Sequence, residues 1–102
     1  MTAAEWAREN NAAAPRDLLH AMSAALAAAE GSTVQAQLTS GARLLARRIA
    51  VNGCGDRTRA LDLLALDALI TSAMEASAVS PASCEAAASS LLRVISEASV
   101  IE

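Results

Sequence analysis

Apolar residues recur along most of this chain at intervals of three and four, the spacing that places side chains on one side of an α-helix. Segments rich in polar residues, glycine or proline interrupt this pattern at four places, and each interruption is short enough to be a turn. The sequence therefore predicts an all-α protein, a compact bundle of four to five helices. The expected helix spans are approximately 2–13, 15–31, 32–53, 56–78 and 80–99.

Residues that favour helix ends stand at most of these boundaries. Thr2 with Glu5, and Ser32 with Gln35, have the spacing of a capping box, in which two side chains satisfy the first free N–H groups of a helix. Each pair therefore predicts a helix start. The other boundary residues are Pro15, Gly31, Asn52 with Gly53, Asp56, and Ser80 with Pro81.

Three of the predicted helices have one apolar side and one polar side, which is typical of helices that pack onto a core from its surface. The predicted buried faces are Leu18, Leu19, Met22, Ala25, Leu26 and Ala29 in the second helix, Val34, Leu38, Ala42, Leu45 and Ile49 in the third, and Cys84, Ala87, Ala88, Leu91, Ile95 and Ala98 in the fifth.

The fourth predicted helix differs, because its apolar side chains point in every direction around the axis. A helix that is apolar on all sides must be covered on all sides. We therefore expect it either to be wrapped by the other helices at the centre of the bundle or to be half covered by a second copy of the chain, and we favour the second copy. Its apolar residues are Leu61, Leu63, Leu64, Leu66, Leu69, Ile70 and Met74.

Candidate residues for a protein interface follow from that expectation. Trp6 is the only aromatic residue of the chain. It either pins the first helix onto its own bundle or dimer, which we favour, or anchors that helix in a partner, since Trp is favoured at interfaces. The candidate interface residues are Trp6, Leu63, Leu66, Ile70 and Met74.

Two carboxylates interrupt the fourth helix, and a buried carboxylate requires a partner. Arg59 lies three residues before Asp62, which predicts a local ion pair. For Asp67 we expect a pair with Arg47 or Arg48 across the corner between the third and fourth helices, or with an arginine of another subunit. The alternative is that Asp67 marks a strip of the helix that faces solvent.

Length and composition agree with a single helical domain over residues 1–102, with a short helix and linker at 1–14 and a helical core at 15–99. The 27 Ala and 13 Leu residues favour helix over strand. A net charge of −3 argues against a general binder of nucleic acid or anionic membranes. No apolar run is long enough to span a bilayer and no secretory signal is recognisable, so we expect a cytoplasmic protein with reduced thiols and no membrane association.

The stretch VNGCGDRTR, residues 51–59, is the one segment that looks like a binding loop. We favour a simple corner between two helices. The glycines, the helix start and the nearby arginines would also suit an anion or a nucleic acid, although Asp56 would compete for the same N–H groups. The candidate binding residues are Arg43, Arg47, Arg48, Arg57 and Arg59.

Catalysis is not predicted. One histidine, two distant cysteines and dispersed carboxylates form no metal-ligand set, and we expect no metal or other cofactor. Cys54 precedes a helix start near arginines, which would suit a reactive thiol, but an incidental loop cysteine is the simpler interpretation. We expect Cys84 to be a small buried hydrophobe and His20 to lie on the surface.

These patterns predict a helical protein-interaction or regulatory module that binds itself as a homodimer and binds another protein. The alternative is a nucleic-acid or small-anion binder that uses the arginine-rich corner.

Overall fold

A computed structural model describes residues 2–52, 57–78 and 81–98, and five α-helices occupy most of them. The all-α prediction is confirmed, and no strand occurs in these three ranges. The helices are α1 (Ala3–Asn10), α2 (Arg16–Ala27), α3 (Val34–Asn52), α4 (Arg57–Ala76) and α5 (Pro81–Ala98).

The centre of the bundle is the pair α3 and α4, which make the most extensive contact between any two of the described helices. Each of these two helices also packs against the other three. The helices α1 and α2 contact each other, whereas α5 contacts only α3 and α4 within the described part of the chain. The central pair therefore lies between α1 and α2 on one side and α5 on another.

The helix α1 begins with the predicted capping box. Thr2 Oγ1 accepts a hydrogen bond from the Glu5 N–H at 3.1 Å, and the Thr2 N–H donates to Glu5 Oε2 at 3.1 Å. The helix ends at Asn10, about three residues before the predicted end. The side chains of Asn10 and Asn11 donate to carbonyls one turn back, at 2.9 and 2.8 Å, so they satisfy the last turn and a turn over residues 11–14 follows.

The boundary between α2 and α3 differs from the prediction at both ends. The last turn of α2 tightens into bonds from the N–H groups of residues 28 and 29 to carbonyls three residues back, and the helix ends four residues before Gly31. Gly31 has a φ of 138°, which only glycine adopts easily. Thr33, not Ser32, caps α3, because Thr33 Oγ1 accepts from the Ala36 N–H at 3.0 Å.

The other boundaries agree with the prediction where they are described. The helix α3 ends at Asn52 and α5 begins at Pro81. The predicted caps Gly53, Asp56 and Ser80 lie outside the described residues, as does Cys54.

Close packing of small residues brings the helices together at Gly41 of α3. A Cβ atom at this position would lie 3.0 Å from Leu26 Cδ2 and 3.3 Å from Leu69 Cδ1, both tighter than ordinary contacts. The missing side chain therefore lets α2 and α4 approach α3 at the same point. The largest fully buried apolar side chains are Met22, Leu38, Leu45, Leu69 and Val94.

The predicted faces of the second and third helices are confirmed, since every residue assigned to them is buried or half-buried. The predicted face of the fifth helix is wrong at one position. Ile95 is 50% exposed, and the neighbouring Val94 is buried instead. The buried row of α5 is thus Ala87, Leu91 and Val94, at intervals of four and three, which rotates the C-terminal half of the face by about one residue.

Candidate protein-interaction site

The other helices cover only one side of α4. Its buried side consists of Asp62, Ala65, Leu69, Ser72 and Ala73. On the opposite side, Leu63 is 48% and Leu64 is 57% exposed. Of the two alternatives for this helix, the one in which the chain's own helices wrap it on every side therefore does not hold within the described residues. Coverage by a second copy, the favoured alternative, stays a prediction. Contact with all four other helices does not enclose α4, because they all approach the same side of it.

The exposed side of α4 forms a shallow apolar groove of about 350 Å³. Leu66 and Ile70 are half-buried and reach the groove from the edge of the core. Met74 is also half-buried, one turn beyond Ile70. The residues that line the groove are Leu63, Leu64, Leu66, Asp67 and Ile70.

The spacing of this apolar row suits contact with another helix. Leu63, Leu66, Ile70 and Met74 follow one another at intervals of three and four, so their side chains lie along one edge of α4. Rows with this spacing pack against a second helix in bundles and coiled coils. We call the surface made by Leu63, Leu64, Leu66, Ile70 and Met74 the α4 face.

Trp6, the fifth candidate interface residue, does not line this groove. It is half-buried and packs against the core, together with Ala3 and Ala7 of the same helix. Its indole N–H is buried and has no hydrogen-bond partner among the described residues. The structure thus places Trp6 where it holds α1 on the bundle, apart from the α4 face.

The predicted ion pair between Arg59 and Asp62 is confirmed. Asp62 is only 5% exposed, and its Oδ2 lies 2.6 Å from Arg59 Nη1. Its other oxygen lies 3.6 Å from Arg48 Nη1, at the C-terminal half of α3. The two guanidinium groups offset the cost of burying the carboxylate, and the Arg48 contact ties α3 to the start of α4.

Asp67 does not meet Arg47 or Arg48, so that prediction is wrong. The Asp67 residue is exposed and forms no ion pair among the residues described. Arg48 contacts Asp62 instead, because Asp62 lies on the side of α4 that faces α3. Asp67 thus lies within the solvent-facing strip of α4, and its pairing with an arginine of another subunit stays a prediction.

The arginine-rich corner is partly neutralised by carboxylates. Besides the two arginines on Asp62, Arg43 Nε lies 3.4 Å from Glu97 Oε2 on α5. Arg47 and Arg57 are exposed, and neither forms an ion pair within the described ranges. Three of the five candidate arginines therefore contact carboxylates of this chain, and two of these, Arg43 and Arg48, connect α3 to another helix. The glycine loop between α3 and α4 lies outside the described residues.

A second depression, of about 520 Å³, lies beside the α2–α3 connection and is polar. It combines Arg43 with Glu30 and several hydroxyl groups, and the Ser40 hydroxyl already accepts the Glu30 N–H at 2.9 Å. Its residues lie far apart in sequence and show no shared motif, which is why the sequence did not predict it. The lining residues are Glu30, Gly31, Gln35, Ala36, Thr39, Ser40, Arg43 and Ser90.

The remaining reactive side chains are dispersed. His20 is exposed on α2, as predicted. Cys84 is half-buried, less than predicted, and its thiol donates to the Ser77 carbonyl at 3.5 Å. The described residues contain no group of three potential metal ligands.

None of the helices in the described ranges combines the length and the apolar character needed to cross a membrane.

The chain matches no protein-family model, and no curated protein or solved structure is significantly similar to it. A proposal about its function therefore has to start from the geometry of the α4 face.

Proposed function

We propose that this protein is a non-enzymatic interaction module that forms a homodimer through the α4 face. The observation that carries the proposal is the pair of adjacent leucines, Leu63 and Leu64, each about half exposed beside an apolar groove on the central helix. Contiguous apolar surface of this kind marks interaction sites in small proteins. A second copy of the same helix presents a row of matching spacing.

Leu63 and Leu64 alone cannot hold a dimer together. Burying the exposed halves of Leu63 and Leu64 on both copies contributes about 4 kcal/mol, at roughly 1 kcal/mol for each leucine. Association itself costs at least about 4 kcal/mol. These two amounts cancel, so the half-buried residues Leu66, Ile70 and Met74 must supply the net stabilisation. A dimer that persists at about 100 µM requires at least about 5 kcal/mol from these residues of the two copies together.

The test uses a double variant and a matched control. Leu63→Glu with Leu64→Glu places two carboxylates on the α4 face, whereas Leu92→Glu changes an even more exposed leucine, 68% exposed, on α5. All three side chains reach solvent in the single chain, so the helical content of each variant should match that of the parent. Sedimentation equilibrium at about 100 µM should show the parent and Leu92→Glu as dimers and the double variant as a monomer.

Two outcomes would count against the proposal. If the parent protein stays monomeric at this concentration, the α4 face is not a homodimer interface. A double variant that remains dimeric shows that the contact lies elsewhere on the molecule.

The arginine-rich corner supports the alternative function less well. Arg43, Arg48 and Arg59 contact carboxylates of this chain, which leaves Arg47 and Arg57 to attract an anion. If this corner nevertheless binds a nucleic acid, its affinity should fall steeply with salt concentration, and Arg57→Ala should weaken it. Binding assays with DNA and RNA at two salt concentrations check this alternative.

A further inference from the structure

The polar depression beside the α2–α3 connection has the size of a small-molecule site. Its wall is one side of α3, within residues 35–43, together with Ser90 of α5 and residues 30 and 31 of the connection. Its volume of about 520 Å³ falls in the usual range for ligand pockets, roughly 300 to 1,000 Å³. It shares no residue with the α4 face, so a ligand bound here leaves the proposed homodimer contact free.

Three polar groups that line this depression lack a hydrogen-bond partner among the described residues. Arg43 Nε is buried, and Glu97 Oε2, at 3.4 Å, is too distant for a good hydrogen bond. The side-chain amide of Gln35 and the hydroxyl of Ser90 belong to half-buried residues and are also unpaired. Buried polar groups normally have a partner, so these three favour one from outside the chain.

A further donor stands beside Arg43. Ser40 Oγ accepts the Glu30 N–H at 2.9 Å, which leaves the O–H of Ser40 available to donate. Ser40 and Arg43 are three residues apart on α3, so their side chains are neighbours on one side of the helix. A hydroxyl and a guanidinium group in this arrangement can hold one carboxylate between them.

One cation and one carboxylate line the depression, so its lining has no net charge. Glu30 is exposed and forms no ion pair within the described ranges. Because its N–H contacts Ser40, the backbone of Glu30 lies about one turn, roughly 5 Å along the axis, from Arg43. Two opposite charges at this spacing suit a molecule that carries both an anionic and a cationic group.

Other classes of ligand fit the lining less well. A phosphate group carries more negative charge than Arg43 can balance, and the carboxylates of Glu30 and Glu97 repel it. A nucleobase finds no ring on which to stack, because Trp6 is the only aromatic residue of the chain and does not line the depression.

We infer that this depression binds a small zwitterion, a peptide of about two residues, with its carboxylate on Arg43 and its ammonium group on Glu30. Two extended residues span about 7 Å, which matches the separation of the two charged side chains. The Ser40 and Ser90 hydroxyls and the Gln35 amide provide hydrogen bonds between the two ends.

Glu97 competes with the ligand for Arg43. Its carboxylate contacts the guanidinium group from outside the depression, since Glu97 is not a lining residue. Glu97→Gln removes this competitor, so we expect the variant to bind the peptide about threefold more tightly than the parent. A residue that only supported the fold would not strengthen binding when changed.

The test is a titration with diglycine followed by NMR, through the backbone amide signals of residues 35–43 and Ser90. The charged groups are partly exposed, so we expect a dissociation constant of about 1 mM, measured up to about 20 mM peptide. N-acetyldiglycine lacks the ammonium group and diglycine amide lacks the carboxylate. Each should bind at least about threefold more weakly, and inorganic phosphate should bind no better than they do.

Two variants and a matched control assign the charges. Arg43→Gln should weaken diglycine binding about fivefold and Glu30→Gln about threefold. Arg47→Gln changes an exposed arginine one turn further along α3 that does not line the depression, and it should bind as the parent does. Circular dichroism of the three variants checks that their helical content is unchanged.

Three results would overturn the inference. They are the absence of shifts at these residues up to about 20 mM diglycine, equal binding of phosphate or N-acetyldiglycine, and equal loss of binding in Arg47→Gln and Arg43→Gln. The variant Leu63→Glu with Leu64→Glu should bind diglycine as the parent does. A monomeric protein that binds diglycine therefore removes only the proposed homodimer, and a dimer that does not bind it removes only this inference.

Discussion

Asp62 links α3 to α4 by an ion pair with Arg48, in addition to the apolar contacts between the two helices. It is a carboxylate in the buried side of the central helix, held by Arg59 of its own helix and Arg48 of α3. Its two carboxylate oxygens contact one guanidinium group each, so both arginine side chains meet at the edge of the core. The local half of this pair could be predicted from the spacing of residues 59 and 62, because a helix fixes the distance between neighbouring turns.

Removing this carboxylate should destabilise the protein. In Asp62→Ala the two guanidinium groups lose the anion they contact, one of them in a largely buried position, and we expect the free energy of unfolding to fall by about 2 kcal/mol. The matched control is Glu97→Gln, which breaks the more exposed pair with Arg43 and should cost less than about 0.5 kcal/mol. Urea denaturation of the three proteins measures both values, and equal losses would contradict the special role of Asp62.

At the scale of the helices, turn chemistry decides where each element begins and ends. Helix number, order and most starts could be predicted, because hydroxyl caps and proline at the first turn act through neighbouring residues. The choice between Ser32 and Thr33 could not, since both carry a hydroxyl and only the path of the chain through Gly31 determines which one meets a free N–H. The ends of α1 and α2 likewise depend on which groups bind the last helix carbonyls. In α1 the Asn11 side chain binds one of them, and in α2 the N–H groups of residues 28 and 29 bind carbonyls three residues back.

The cap of α3 provides a direct test at this scale. Thr33→Ala removes the hydroxyl that accepts the Ala36 N–H, and we expect a loss of about 1 kcal/mol in the free energy of unfolding. Ser32→Ala, one residue earlier, should change it by only a few tenths of that amount. Thermal unfolding of the two variants separates them, and a larger loss for Ser32→Ala would show that the helix begins one residue earlier.

Side-chain direction near helix ends was harder to predict than helix position. The sequence assigned Ile95 to the buried face of the fifth helix, but α5 turns Val94 towards the core. The two residues are equally apolar and lie 100° apart on the helix, so only the angle at which α5 crosses its neighbours distinguishes them. The partner of Asp67 could not be predicted for the same reason, because the sequence does not determine which side of α4 faces α3. That side carries Asp62, which pairs with Arg48, and Asp67 is exposed.

For the molecule as a whole, the α4 face follows from how few large residues the chain has. With 27 Ala and a single aromatic residue, the helices pack closely through small side chains and present little surface to one another. The four neighbours of α4 meet it on one side and leave the leucines of the other side half exposed. That α4 is apolar all round could be predicted, whereas which side stays uncovered required the arrangement of the other helices.

If the α4 face is a homodimer interface, it becomes covered when two copies of the protein associate, and this change can be measured residue by residue. A soluble paramagnetic probe broadens the NMR signals of exposed methyl groups, and the signals of Leu63, Leu64 and Leu92 can be compared in one sample. As the concentration rises from about 20 µM to about 1 mM, we expect Leu63 and Leu64 to become protected from the probe while Leu92 stays equally exposed. Leucines of α4 that remain as accessible as Leu92 throughout this range would contradict the proposed interface.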